Sequence, residues 1–539
     1  MNTFHQAFEA VRQRRPDLPF LAQSALSGAR VWTYEEAGLE VDALAASYRA
    51  AGWGAGHRVA LAVGNHPRHF FHFLALNSLG ASIVPLNPDH RSAELQYALG
   101  HARVSLVVCH GAQVNVVREA VATDPALSEL AFAALDAAGQ ASAAFARASV
   151  PAEAATTDPL RAEVAILYTS GTTGRPKGCV LTNEYLLGAG AWYAGLGGHL
   201  RLDRGRDRLL NPLPVFHMNC GMLAISAVLQ SENCLVLPDR FHAQTWWQDC
   251  VLSKATAIHY LGIMPPALFK QAPSPWETRH QIRFALGAGC DPSLHGAFEQ
   301  RFGFPLVEVW GMTETGRFIA NHTDPRLTDT RAFGRVPAPL QARVVDEHDA
   351  DVATETPGEL LLRTEGVLPR QGFFSGYLYD DAATAQAWRG DWFHTGDVVR
   401  RDEQGMLFFV DRKKDMVRRS GENISSAEVE AVLAVHAAVL RVAVLAVPDA
   451  MRDEEVMAVI VPAPGHAPDA ATASALVRYC LDQLAYFKAP GWVLFRAELP
   501  LTPTNKIQKN KIFDPAVDPC AGAFDTRALK KRPSIGGHT

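Results

Sequence analysis

The sequence predicts an α/β protein: a large N-terminal domain of stacked sheets, a small antiparallel unit, and a smaller, mobile C-terminal α/β domain. Short apolar strands alternate with helix-like segments from about Trp32 onward, the pattern of parallel strands joined by helical crossovers. The chain has 539 residues, more than one hydrophobic core supports, so about two to four structural units are expected. Charged residues at 20% and hydrophobic residues at 48% are ordinary for a water-soluble globular chain.

In chain order, residues 34–51 read as a helix, and 59–63, 81–86 and 104–109 as short core strands. The apolar run 70–87 carries no charge, but His72, Asn77, Ser78, Gly80 and Pro85 interrupt it. It predicts a buried helix ending near Gly80 and then a core strand, not a membrane span. His66, His69 and His72 recur at helical spacing with no Cys or carboxylate alongside, so they read as ordinary histidines of one helix face. The Ala-rich stretch 131–159 predicts a helix and then an exposed connection. A second α/β run places strands near 207–213, 234–238, 257–261 and 284–288. Residues 341–363 form strands separated by turn residues, the antiparallel unit, and 392–415 form two strands around an Asp-Glu-Gln-Gly turn. A helix at 426–435 and strands at 442–447, 458–462 and 493–495 build the terminal domain. The expected divisions are 1–411, 412–514 and a loosely held polar tail at 515–539.

A net charge of -5 provides no basic field, which excludes nucleic acid as an expected partner. The 8 cysteines include no CxxC pair, which argues against structural zinc and fits reduced thiols. The first residues, MNTFHQAFEAVRQRR, lack an apolar signal core, so a cytoplasmic location without membrane attachment is expected.

The richest segment is ILYTSGTTGRPKGCVLTN, two apolar strands around a turn crowded with hydroxyls, glycines and one lysine. The hydroxyls of Thr169, Ser170, Thr172 and Thr173 can donate to phosphate oxygens. Gly171, Gly174 and Gly178 let backbone amides approach closely, and Lys177 adds positive charge. A Walker A loop would carry glycine where Pro176 stands and would follow its lysine with Ser or Thr opening a helix, so this is a different phosphate cradle.

Four further motifs follow in order: GMTET at 311–315, HTGD at 394–397, DRKKDMVRRSGENI at 411–424 and LPLTPTNKIQK at 499–509. With the loop, they resemble the adenylate-forming superfamily of acyl-CoA synthetases, peptide-synthetase adenylation domains and beetle luciferases. The runs PVFHMNC and MRDE look most like crotonobetaine/carnitine-CoA ligases. The resemblance implies that a carboxylate attacks the α-phosphorus of ATP, giving acyl-AMP and pyrophosphate, and that a thiol, here coenzyme A, then displaces AMP. It also implies roles. The loop 169–177 would grip the β- and γ-phosphates, Thr313 the α-phosphate, and Glu314 a Mg²⁺ ion. Asp397 and Arg412 would hold the ribose. Trp310 would stack on adenine beside Gly287, Ala288, Gly289, Gly311 and Met312. Lys506, preceded by Asn505 where many relatives have Gly, would reach the α-phosphate during adenylation. Lys414 would be the hinge on which the terminal domain turns, bringing Gly421 to the site for the thiol. Lys488 is the only basic residue of 487–491, the stretch expected to face the CoA nucleotide.

The acyl pocket is expected around Trp192, His217, Asn219, Cys220, Gly262 and residues 287–289. His217 stands where amino-acid-selecting domains have Asp, which disfavours an amino acid, and by resemblance it would cover the carboxylate until the thiol arrives. Arg317, after GMTETG, could pair with a second carboxylate. The leading reading is thus an acid:CoA ligase acting on a short polar or aromatic acid, carnitine-like or dicarboxylic. The alternative is an adenylating enzyme that loads a carrier-protein thiol. A nucleotide-binding protein without turnover is disfavoured because Lys177, Glu314, Asp397, Arg412 and Lys506 are all present. By analogy with such enzymes, a homodimer is expected.

Overall fold

Helical crossovers build two large, mainly parallel sheets in the computed structural model, which describes residues 2–110, 113–128, 130–136, 144–148, 156–169, 176–412, 416–500, 507, 509, 512–514 and 517–530. The eight-stranded sheet runs Phe318–Ala320, Leu306–Gly311, Phe284–Ala288, Ala257–Leu261, Arg208–Leu210, Cys234–Leu237, Pro19–Gln23, Val31–Thr33; only its two edge strands are antiparallel. The seven-stranded sheet runs Gly376–Tyr377, Lys177–Thr182, Glu163–Thr169, Ser82–Pro85, Arg58–Ala62, Leu106–His110, Ala131–Leu135.

The helix Pro67–Ser78 explains the uncharged run that follows its start. It contacts strands of both sheets, so nearly all of its residues are buried. A helix apolar all round is what such a position demands. His69 and His72 are packed there, and burial lowers both to about 3, so they are neutral. No helix among the described residues is long and apolar enough to cross a membrane.

One apolar core extends through these two sheets and into the antiparallel sheet of Ala332–Gly334, Leu407–Arg412, Trp392–Arg401, Gly358–Thr364 and Leu340–Val345. A separate core begins at Val417 and is built around the sheet Glu422–Ser425, Met416–Arg419, Asp453–Pro462, Trp492–Phe495, Phe524–Asp525.

Two expectations are corrected, and one segment is added. Ala131–Leu135 is a strand, not the start of a helix: pairing with Leu106–His110 buries Ala133 and Leu135, and that outweighs the helical preference of alanine. Residues 517–530 are not a loose tail. Phe524–Asp525 adds an edge strand to Trp492–Phe495, and Lys530 buries its ammonium on Glu455. The segment before Trp32 supplies the helix Phe4–Arg14 and the strand Pro19–Gln23, an interior strand of the larger sheet that the sequence reading passed over.

Candidate active site

The strand Glu163–Thr169 pairs with Lys177–Thr182 in an antiparallel hairpin, with Thr169 opposite Lys177. The turn of that hairpin holds Ser170, Gly171, Thr172, Thr173 and Gly174, which lie outside the described residues. Its base is anchored where Tyr97 donates to the Pro176 carbonyl at 2.8 Å. The Lys177 ammonium lies 4.6 Å from the centre of the Tyr377 ring, and the Tyr377 hydroxyl donates to Glu314 at 2.9 Å. One tyrosine therefore spaces the cation of the hairpin from the acid of GMTET.

GMTET is the reversal between Leu306–Gly311 and Phe318–Ala320. Thr315 closes it by donating to the carbonyls of Met312 and Arg317, and Gly316 sits at φ +63°, where a Cβ would meet the Gly372 carbonyl. HTGD is a bulge: Leu361 pairs with His394 and Glu359 with Val398, so a single residue faces three. Thr395 donates to the Leu360 carbonyl and Gly396 to Glu359, and this lifts Asp397 toward the cavity. Arg412 is the cross-strand partner of Asp397.

The result is one cavity of about 1430 Å³. Thr169, Lys177, Thr313, Glu314 and Asp397 line it together with His217, Asn219 and Arg317. Ligand cavities commonly measure about 300–1,000 Å³, so this one has room for a nucleotide and a second substrate. A π-helical turn over Met218–Ala224 presents Asn219, whose side-chain oxygen accepts from Asn211 at 3.0 Å and meets His259 at 2.6 Å. Burial lowers His259 to about 3, so this floor is polar and neutral. Glu308 receives the amides of Gly289 at 2.8 Å and Cys290 at 3.0 Å, together with the Tyr260 hydroxyl, and so braces the glycine loop 287–289.

The C-terminal sheet closes the cavity. The turn between Met416–Arg419 and Glu422–Ser425 puts Ser420 at φ +52° and Gly421 at φ +86°, and Gly421 and Glu422 line the wall. A Cβ on Gly421 would come within 2.3 Å of Leu261. Glu422 meets His217 at 3.2 Å. Burial opposes the Glu422 charge, yet His217 beside it holds its pKa below the ordinary value.

The decisive likeness is at the level of the family. The family model for the AMP-binding enzyme matches residues 8–378, and that for the AMP-binding enzyme C-terminal domain matches 428–506. The chain belongs to the AMP-binding enzymes. It is 30% identical to the crotonobetaine/carnitine–CoA ligases of Shigella flexneri and Escherichia coli over 498 residues, 89% of this chain and 93% of each of those proteins. Among solved structures, o-succinylbenzoate CoA synthetase of Bacillus subtilis aligns with a TM-score of 0.77 at 22% identity, covering 94% of this chain and 98% of that one. The amide bond synthetase of Marinactinospora thermotolerans aligns at 0.77 and 24%, covering 95% and 99%. MatB of Rhodopseudomonas palustris aligns at 0.64 and 25%, covering 95% and 98%. The protein is therefore an enzyme of the adenylate-forming class, an AMP-forming acid–thiol ligase; enzymes of this class use ATP and coenzyme A.

Within this AMP-binding enzyme, Trp310, Cys220, Gly262, Gly289 and Trp192 do not line the cavity, whereas Lys488 lines it but is engaged by carboxylates. Trp310 is 6% exposed and does not line the cavity; its indole nitrogen donates to Asp397 at 2.8 Å and so buttresses the carboxylate. Cys220 belongs to the π-helical turn but is fully buried and does not line the cavity. Gly262 and Gly289 are in backbone contact just outside the wall, and Trp192 supports Arg317 from behind. Lys488 is buried between Glu94 and Glu428, 2.8 Å from each, and in this arrangement it is committed to those carboxylates and not presented to a CoA phosphate. Burial alone would lower its pKa; the two acids raise it. Lys414 and Lys506 lie outside the described residues. Tyr377, Glu308 and Glu422 were missed by sequence reasoning. Each acts on a residue more than a local turn away, and the aromatic run FFSGYLY was the one visible hint of Tyr377.

Proposed function

We propose that the protein is an ATP-dependent carboxylic acid:CoA ligase acting on a short polar or aromatic acid. The observation that carries this reading is the single cavity in which Thr169, Lys177, Thr313, Glu314 and Asp397 meet the pocket residues His217 and Asn219 and the Gly421 turn.

A carboxylate is a poor acyl donor because its leaving group would be oxide. In the first step its oxygen attacks the α-phosphorus of ATP and the bond to the β-phosphate breaks, releasing pyrophosphate. The hydroxyl-rich turn and Lys177 hold the departing phosphates, Thr313 and Lys506 stabilise charge on the α-phosphate, and Asp397 fixes the ribose; catalysis is positioning plus electrostatics. Glu314 is a buried carboxylate with one oxygen on Tyr377, the kind of single hard ligand that Mg²⁺ takes beside phosphate, and the ion would neutralise charge there. In the second step the thiol attacks the acyl carbon and the bond to AMP breaks. The arrangement with Gly421 on the cavity and Lys488 bridging Glu94 and Glu428 suits this step. We place the enzyme in the cytoplasm, as a homodimer.

The second reading, a carrier-protein thiol as acceptor, is favoured by the commitment of Lys488 to two carboxylates. Incubation with ATP, an acid panel and free CoA separates the two. Acyl-CoA formed at a rate matching pyrophosphate release is the expected result; acyl-AMP accumulating without thioester would assign the acceptor to a carrier protein.

A further inference from the structure

Arg317 lines the cavity and carries a cation that the reaction itself does not use. One nitrogen donates to the Thr364 hydroxyl at 2.7 Å, and the group lies over the Trp192 ring at 5.5 Å. Its position is built. The Trp192 indole is fixed by its bond to the Phe318 carbonyl at 2.8 Å, Thr364 is 3% exposed, and a Cβ on Gly372 would fall 2.4 Å from the guanidinium. Among the described residues Arg317 makes no ion pair with a carboxylate. Glu184 is the acid whose charge bears on it, and that side chain is itself taken up by Gln371 at 3.3 Å. An arginine has five N–H donors, and a partly buried one is costly to leave without an anion. Burial in fact works against its charge, lowering the pKa from the ordinary arginine value.

We propose that Arg317 is the specificity residue of the acyl pocket and that the acid is dicarboxylic, one carboxylate being activated beside Thr313 while the other pairs with the Arg317 guanidinium. This rests on the ligase reading above. The floor fits it: Asn219 and the neutral His259 add polarity without charge, so Arg317 supplies the charge that selects. The same residue excludes acids that carry a quaternary ammonium. A fixed guanidinium on a residue that lines the cavity repels a second cation brought into it.

The test uses the full chain and matched acids: glutarate against pentanoate, terephthalate against 4-methylbenzoate, and 4-(trimethylammonio)butanoate as the cation. Pyrophosphate release gives kcat/KM for each, and calorimetry gives binding without turnover. The wild type should favour the diacid of at least one pair by roughly 10- to 100-fold, the scale of a charge-assisted bidentate pair, and should turn over the cation poorly. Arg317→Met should collapse that ratio through the KM for the acid, leaving the KM for ATP in place, and Arg317→Lys should restore part of it. Equal ratios in wild type and Arg317→Met, with both variants melting like wild type, would overturn the proposal. Diacids that bind through Arg317 but elicit no pyrophosphate would overturn the ligase reading while leaving Arg317 as the anion anchor.

Discussion

Asp397 shows what a motif discloses and what it hides. HTGD identified the carboxylate, but nothing in four letters told that Trp310, the residue before GMTET, donates to it at 2.8 Å. Trp310 packs behind that carboxylate because the strand Leu306–Gly311 turns its side chain inward. On the proposed reading, removing the carboxylate deletes the acceptor for the ribose and orphans an indole N–H. Asp397→Ala should therefore raise the KM for ATP by about 10- to 100-fold while sparing the KM for the acid. Initial-rate kinetics check this, and an unchanged KM for ATP would show that Asp397 does not hold the nucleotide. Tyr377 was illegible for a related reason: its partners Lys177 and Glu314 are brought to it by sheet pairing of Gly376–Tyr377 with Lys177–Thr182, a long-range event.

Elements were legible where their pattern was local and hidden where tertiary pairing decided. Ala257–Leu261 and Phe284–Ala288 are apolar runs between breakers and form where expected. Ala131–Leu135 was misread because alanine favours helix until a sheet edge offers hydrogen bonds and burial. The Ser420–Gly421 turn is the element proposed to admit the thiol. Its two left-handed residues make a tight hairpin whose tip meets Leu261, so a branched side chain there would strain the backbone and collide. Gly421→Val should slow thioester formation from supplied acyl-AMP at least about 10-fold through that strain and contact, while adenylation proceeds. Lys506→Ala should do the reverse, blocking adenylation and largely sparing the second step. Single-turnover assays of the two half-reactions read both variants, and equal loss of both steps in either one would remove the division of labour between the two sides of the terminal domain.

At the scale of the molecule, alternation and chain length disclosed an α/β protein of several units, and the ordered motifs disclosed a shared nucleotide site. The docking of the C-terminal sheet was not legible. It depends on Lys488 reaching Glu94 of the helix Ser92–His101 and Glu428 of Ser426–Ala434, three residues far apart in the chain. The tail was misjudged because its polar composition concealed Lys530, which Glu455 compensates within the interior. All of this architecture serves one claim, that a carboxyl group is activated as an adenylate in the cavity shared by Lys177, Thr313 and Asp397. The most direct measurement is exchange of labelled pyrophosphate into ATP, with acid present and CoA omitted. The account predicts acid-dependent exchange, with AMP as the nucleotide product once a thiol is added; ADP and inorganic phosphate formed without exchange would contradict it.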